Sequence, residues 1–315
     1  MNQKGVTMTT ALVGYTGFVG SNIAAAHNFT HLYNSKNIDQ AFDTNPDLLV
    51  FAGIRAEKYI ANQEPEKDFA IVQEAFENIK KINPQRLVLI STIDVYPNPV
   101  GVDESDDIDP ANLLPYGYNR LQLENWVRDV YPDAVIIRLP GLFGRNIKKN
   151  FIYDLIRIIP SALTPAKFQE LSEKSPLLLQ YYALDDHGFY KCRTLDASEE
   201  TLLRDEFLRI GFTALNFTDS RGVFQFYPLH YLWDHIQIAL EHQITTLNPA
   251  TEPVSIREVY HYVMGQDFTN EIPNRPVPNY NYRTEYAEYF HGENGYLFSK
   301  ERILQEIKTF VENSR

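Results

Sequence analysis

Seven residues near the start of the chain, Gly14-Tyr15-Thr16-Gly17-Phe18-Val19-Gly20, constrain its fold more than any other stretch. The run Met8–Val13 before them is apolar and β-branched and reads as a strand, and Ser21–His27 after them reads as a helix. A strand, a glycine turn and a helix N-terminus together make an anion site. The glycines let backbone N–H groups approach a pyrophosphate, and the helix dipole favours its charge. Gly14, Thr16, Gly17, Phe18, Val19 and Gly20 are therefore candidate contacts to a dinucleotide. The alternative is a tight turn without a ligand, since glycine serves many turns.

The pattern then repeats. Phe29–Tyr33 reads as a second strand and ends at Asn34-Ser35-Lys36-Asn37. An NAD site usually has an acid at this point, holding the ribose 2′-OH. None is present, and Ser35 and Lys36 suit a 2′-phosphate instead, which favours NADP over NAD; the other reading is a polar turn. Asp47–Gly53 and Arg86–Ser91 are near-continuous apolar runs, as in strands buried on both faces of a parallel sheet. Between them, Glu66–Lys81 carries Phe69, Val72, Phe76 and Ile79 at helical spacing. A helix from Tyr116 to about Val130 and a strand Val135–Leu139 follow. The alternation predicts an α/β fold, a doubly wound Rossmann-type parallel sheet. Ligands of such sheets sit at the carboxyl ends of the strands. That rule selects Ala52, Gly53 and Arg55 after one strand, Ser91-Thr92-Ile93-Asp94 after the next, and Pro140 and Leu142 after the last.

The acidic loop Asp103–Asp109 reads as a solvated surface. From Arg145 to about Phe217 the pattern is helical but irregular, with Leu177–Tyr182 as core or lid. Gly222–Phe226 reads as a strand, Leu229–His242 as a helix and Thr245–Asn248 as a last strand of the sheet. The division expected is 1–145 plus about 218–250 as the dinucleotide-binding domain. About 146–217 plus 251–315 form a smaller C-terminal substrate domain, with helices at Ser255–Met264 and from Ser299.

Bulk properties narrow the partners. The formal net charge is −12 with no Lys/Arg-rich run, which argues against nucleic acid and anionic membranes. Cys192 is the only cysteine, so an intramolecular disulfide and a cysteine zinc cluster are excluded, and no metal site is expected. Met1–Thr10 is polar, and no apolar run approaches the roughly 18 residues of a membrane span. A cytoplasmic protein is the expectation.

Several segments together carry a family resemblance: the Gly14-x-x-Gly17-x-x-Gly20 spacing, Ser91-Thr92-Ile93-Asp94-Val95-Tyr96-Pro97, Tyr116 with Glu124 eight residues on, Arg138–Gly144, and Asn248–Glu258. Over its whole length the chain resembles the extended short-chain dehydrogenase/reductase family of nucleotide-sugar epimerases, dehydratases and reductases. Gly53–Phe69, with Ala61-Asn62 and Pro65-x-x-Asp68-Phe69, is most similar to its GDP-fucose synthase branch, which uses NADP. The resemblance implies Tyr116 as the acid/base, Thr92 as the hydroxyl that orients the substrate oxygen, and Arg120 where the family has a Lys that lowers the Tyr pKa and holds the nicotinamide ribose. Arg keeps the charge but is planar and bulkier. The family's helix Asn has no clear counterpart in Glu66–Lys81 unless Asn78 serves. Dehydratases carry an Asp-Glu pair after the Thr; here Ile93-Asp94 leaves one acid, which disfavours dehydration and makes Asp94 a single general acid or a surface group. Arg275 resembles a late Arg that grips a nucleotide diphosphate, and Arg55 and Asn150 join it as candidate substrate contacts. The implied activity is an NAD(P)-dependent epimerase or reductase of a nucleotide-sugar-like small molecule, in a chain able to form a homodimer. A non-catalytic NAD(P)-binding protein and a redox enzyme on a non-nucleotide substrate remain the alternatives.

Overall fold

Six short parallel strands organise the first of two units in the computed structural model, which describes residues 8–314. The strands are β1 (Thr10–Val13), β2 (His31–Tyr33), β3 (Leu48–Phe51), β4 (Leu87–Thr92), β5 (Val135–Leu139) and a last pair of residues, Thr246–Leu247. Across the sheet they run Thr246–Leu247, β5, β4, β3, β1, β2. β1 lies between β3 and β2, with Leu12 opposite Val50 and Leu32. This is the doubly wound sheet that the alternation of elements predicts. Its apolar runs are continuous because helices cover both faces. Leu12, Leu49, Val88 and Ile136 are fully buried, whereas Leu32 on the edge strand is not.

Four helices position the site: α1 (Phe18–Ala26), α2 (Lys58–Gln63), α3 (Pro65–Ile82) and α4 (Pro115–Val130). Proline at the first turn of α3 and of α4 starts each helix without losing a hydrogen bond. Val72, Ala75, Ile79 and Ile82 of α3 and Leu123 and Val127 of α4 pack into one core with Leu49, Leu89 and Ile136 of the sheet. Truncating one of the leucines or isoleucines among them to Ala would cost about 2–5 kcal/mol.

The first unit comprises the described residues through Ile147, with Phe224–Val254 and Asn279–Ile303. The last segment was expected in the smaller domain, and its backbone explains the difference. Asn281 N–H donates to Pro99 O, Gly101 N–H to Asn281 O and Arg283 N–H to Val102 O, at 2.8–2.9 Å. Gln225 then clamps it: its side-chain amide donates to Tyr282 O at 2.9 Å and accepts from Tyr282 N–H at 2.9 Å. The strand expected at Gly222–Phe226 is broken at Gln225: Val223–Phe224 is one short strand, and Phe226–Pro228 is another, which pairs in parallel with Gly141–Phe143.

The acidic loop is not merely solvated. Glu104 accepts from Asn248 N–H at 2.6 Å, Thr284 Oγ1 at 2.7 Å and Glu285 N–H at 2.9 Å. Burial nevertheless outweighs these donors and raises its pKa to about 7.

The second unit is Lys148–Val223, Ser255–Pro278 and the described part of Leu304–Arg315. It holds helices at Phe151–Arg157, Pro165–Lys174, Ala197–Ile210 and Ile256–Met264, and an antiparallel sheet of Ala162–Leu163, Tyr190–Cys192 and Tyr182–Leu184. The sequence pattern missed that sheet because strands of two or three residues are too short to show a period of two. Leu178, Tyr181 and Tyr182 are core here, packed with Leu163, Phe168, Leu171 and Phe207. The reading of Met1–Thr7 as free of a leader lies outside the described residues.

Candidate active site

At the first glycine the backbone turns with φ +92°, and an added Cβ would collide with the Ala52 carbonyl. A Cβ on Gly20 would collide with the Gly14 carbonyl, which lets α1 start directly on the turn. Gly17 differs: its nearest obstruction is Gly14 O at 3.2 Å, and it is exposed together with Thr16. Gly17 is the N-cap of α1, makes no side-chain cap, and is followed by no acidic residue in the first turn. The N–H groups of Phe18, Val19 and Gly20 thus have no intrahelical partner at the positive end of the helix dipole. Those donors and the missing Cβ atoms fit a pyrophosphate. Asn22, which the sequence pattern does not single out, ties α1 to the loop after β5: its amide donates to Arg145 O at 2.8 Å and accepts from Arg145 N–H at 3.1 Å. Pro140 and Leu142 lie between β5 and Arg145, Leu142 within the strand Gly141–Phe143, and both are half-buried.

The turn after β2 sits beside the glycine loop, since Gly14 N–H donates to Tyr33 O at 2.8 Å. Asn37 Oδ1 accepts from Asn34 N–H at 2.7 Å and Asn34 Oδ1 from Lys36 N–H at 2.9 Å, leaving the Ser35 and Lys36 side chains exposed. Ala52 and Gly53 follow β3, with Ala52 N–H bonded to Val13 O at 2.9 Å.

β4 ends in Thr92, which is buried. Its hydroxyl accepts from Asp94 N–H at 3.2 Å, and Thr92 is among the groups close enough to act on the Tyr116 phenol. Gly117 makes that meeting possible, because any Cβ there would strike the Asp94 carbonyl as α4 packs its first turn on the end of β4. Asn62 Oδ1 takes the Tyr116 N–H at 3.0 Å. One turn on, the Arg120 guanidinium carbon lies 4.3 Å from the Tyr116 ring centroid. Its Nη1 is bonded to the Asp68 carboxylate and its Nη2 donates to Arg55 O at 2.8 Å. Asp68 also accepts from Asn119 Nδ2 at 2.8 Å. The residue of α3 that faces the site is therefore Asp68; Asn78 lies ten residues further along the helix, about 15 Å away. Arg55 offers its carbonyl to this network, and its side chain is exposed.

Asp94 Oδ1 accepts from Lys58 Nζ at 2.8 Å and from Tyr280 OH at 3.2 Å. Neither Lys58 nor Tyr280 was a sequence candidate. Lys58 follows β3 at its carboxyl end, which was a usable signal; nothing local marks Tyr280. Burial works against the Lys58 charge, but Asp94 and Tyr280 outweigh it and raise its pKa. The lowered phenol expected for Tyr116 does not occur. Burial raises its pKa above the ordinary value, Arg120 opposes that, and Asp94 adds to it. The expectation weighed the charge of Arg120 but not the burial of the phenol, which is the larger effect. Glu124, fully buried, accepts from Arg138 Nη2 at 2.8 Å and Ser91 Oγ at 2.5 Å and serves the core.

Asn150 and Arg275 belong to the second unit. Asn150 caps the helix Phe151–Arg157, accepting from Ile152 N–H at 3.0 Å and Tyr153 N–H at 3.3 Å. Arg275 is exposed. Among the described residues no group of three or more His, Cys, Asp or Glu could hold a metal, and no helix is long and apolar enough to cross a membrane.

A parallel six-stranded sheet with an open glycine loop at β1–α1 defines an α/β protein of the dinucleotide-binding type. Residues 8–164 match the RmlD substrate binding domain family, a match consistent with the extended short-chain dehydrogenase/reductases. No curated protein matches the sequence. Its fold is similar to that of a dTDP-4-dehydrorhamnose reductase from Yersinia enterocolitica (TM-score 0.64, 13% identity, 98% of this chain and 100% of that one). It is also similar to RMD from Pseudomonas aeruginosa complexed with NADPH (0.62, 16%, 98% and 97%). A third is a UDP-N-acetylglucosamine 4-epimerase from Methanobrevibacter ruminantium in complex with UDP-N-acetylmuramic acid (0.61, 13%, 97% and 97%).

Proposed function

We propose that this protein is a nicotinamide-dinucleotide-dependent reductase or epimerase of a nucleotide sugar. The observation that carries the reading is the packing of the first turn of α4, with Tyr116, on the end of β4, with Thr92, in the same unit as the open glycine loop. The first turn of α1 would hold the pyrophosphate, and Ser35 and Lys36 a 2′-phosphate, so NADP is preferred over NAD. The likeness of Gly53–Phe69 to the GDP-fucose synthase branch supports that preference. A bound nicotinamide supplies or accepts hydride. Thr92 orients the sugar oxygen and Tyr116 moves its proton. The nucleotide-sugar complexes among the fold's neighbours support the substrate class, as does Arg275, whose planar fork suits a diphosphate.

One observation favours a second reading, a cofactor-binding protein without turnover: Arg120 is bound to Asp68 and to Arg55 O. Thermal shifts with NADP, NAD and nucleotide sugars, together with NADPH oxidation assayed on nucleotide 4-keto sugars, separate the two. Turnover that falls about 10²–10⁴-fold in Tyr116→Phe with NADP stabilisation intact is the expected result. Stabilisation by NADP without hydride exchange on any nucleotide sugar selects the second reading or a non-nucleotide substrate.

A further inference from the structure

Lys58, Asp94 and Tyr280 meet beside Thr92, and hydride and proton transfer need none of them. Lys58 comes from α2, Asp94 from the turn after β4, and Tyr280 from the returning segment that Gln225 clamps. Lys58 Nζ and Tyr280 OH both donate to Asp94 Oδ1, at 2.8 and 3.2 Å. The other carboxylate oxygen, Oδ2, has no donor among the described residues, and the Asp94 side chain is 21% exposed. Lys58 is 44% exposed, and its ammonium carries three donors, of which Asp94 takes one. Tyr280 is half-buried, and its ring stacks on Phe224 with centroids 5.7 Å apart and planes 19° apart. Asp94 N–H donates to Thr92 Oγ1 at 3.2 Å, which fixes the group next to the hydroxyl that orients the reacting oxygen. All of these residues lie in the first unit.

The ion pair has no net charge, yet it keeps one acceptor and at least one donor to offer. Two adjacent hydroxyls of a sugar ring match them: one donates to Asp94 Oδ2 and its neighbour accepts from Lys58 Nζ. The stacked rings of Tyr280 and Phe224 supply the apolar wall that ligand sites set beside a few placed polar groups. We infer that Lys58, Asp94 and Tyr280 are specificity-determining residues that read two neighbouring free hydroxyls on a neutral pyranose. The inference rests on the reading of the site as one for a nucleotide sugar and narrows the sugar. An acidic sugar would set its carboxylate against Asp94. A deoxy sugar lacking either hydroxyl would gain only one of the two bonds. Asp94 is thus neither a free general acid nor a surface group.

Calorimetry with NADP present measures UDP-glucose, dTDP-glucose and GDP-mannose, each against its own nucleoside diphosphate. The ratio of the two affinities isolates the sugar. In Lys58→Met and in Asp94→Asn that ratio should fall about 10- to 100-fold, while the diphosphate binds as in wild type. A monodeoxy analogue at a hydroxyl that is read should lose a similar factor in the wild type and little more in the variants. A wild-type ratio near one, or a ratio unchanged in the variants that fold, overturns the inference and leaves the nucleotide-binding reading in place. If Asp94→Asn does not fold, Lys58→Met, whose side chain is half-exposed, decides. If none of the three nucleotide sugars binds, saturation-transfer NMR with free glucose, galactose and mannose separates the two claims. Sugar contact that is lost in Lys58→Met keeps the subsite and counts against the nucleotide alone. Contact that is absent, or that survives the substitution, overturns the inference.

Discussion

The glycine loop and the α3–α4 contact are both parts of the candidate site, yet they use their donors in opposite ways. At β1–α1 the first-turn N–H groups of α1 are left without a cap, as an anion site requires. At α3–α4 both terminal nitrogens of Arg120 are spent on Asp68 and Arg55 O, and the side chain is buried. One region leaves its donors open to a ligand. The other is closed, with Arg120 stacked on the Tyr116 ring. A site can thus keep a family's charge at a position while changing what the charge does.

Breaking the closed region should have the largest effect. Arg120→Ala leaves the Asp68 carboxylate buried without its cation, and unfolding should be easier by about 3–5 kcal/mol. Arg120→Ala combined with Asp68→Ala should recover most of that in urea denaturation. A single variant within about 1 kcal/mol of wild type would place Arg120 with ordinary surface pairs.

The open region should respond in ligand binding and hardly in folding. Gly17→Val meets only Gly14 O at 3.2 Å in the free protein, so its melting point without ligand should stay near that of wild type. The branched side chain occupies the pyrophosphate's place, and the stabilisation of about 2.7 kcal/mol expected at NADP a hundred times its Kd should vanish. Gly20→Val, where no room exists, should instead cost about 1–3 kcal/mol without any ligand. Equal behaviour of the two variants would erase the distinction between a packing glycine and a binding glycine.

Lys36→Glu probes the rim of the open region. It should weaken NADP about tenfold, roughly 1.4 kcal/mol, and NAD much less, measured by calorimetry. Equal losses for both cofactors would remove Lys36 from the 2′-phosphate site.

The smallest effect is a pH slope away from both regions. Glu104 has a folded pKa of about 7 against an ordinary 4.5, so its stabilising contribution is full below about 4.5 and is lost as pH rises through about 7. Asp154 in the second unit, raised to about 7 by burial, acts in the same window. Wild-type stability should therefore fall between about pH 4.5 and 7, and Glu104→Gln should show a shallower fall. An unchanged slope in that variant would mean that Glu104 titrates as an ordinary surface acid.

The order of strands and helices and the glycine turn were legible because each is written locally, whereas Thr92 and Tyr116 were named only through the family resemblance. A buried parallel strand must be apolar throughout, a helix must repeat near 3.6, and a phosphate turn must lack side chains. The short strands of the second unit left no such trace. The partners that set the charge around Tyr116 were also invisible. Asp68 reaches Arg120 across 52 positions, Lys58 reaches Asp94 across 36, and Tyr280 reaches Asp94 across 186. Read alone, the sequence marked the glycine turn after β1 and, through the family resemblance, Tyr116 at the start of α4. Only the tertiary structure placed Arg120 against Asp68 and Lys58 against Asp94. Electrostatic energy depends on distance in space, and no spacing along the chain reports it.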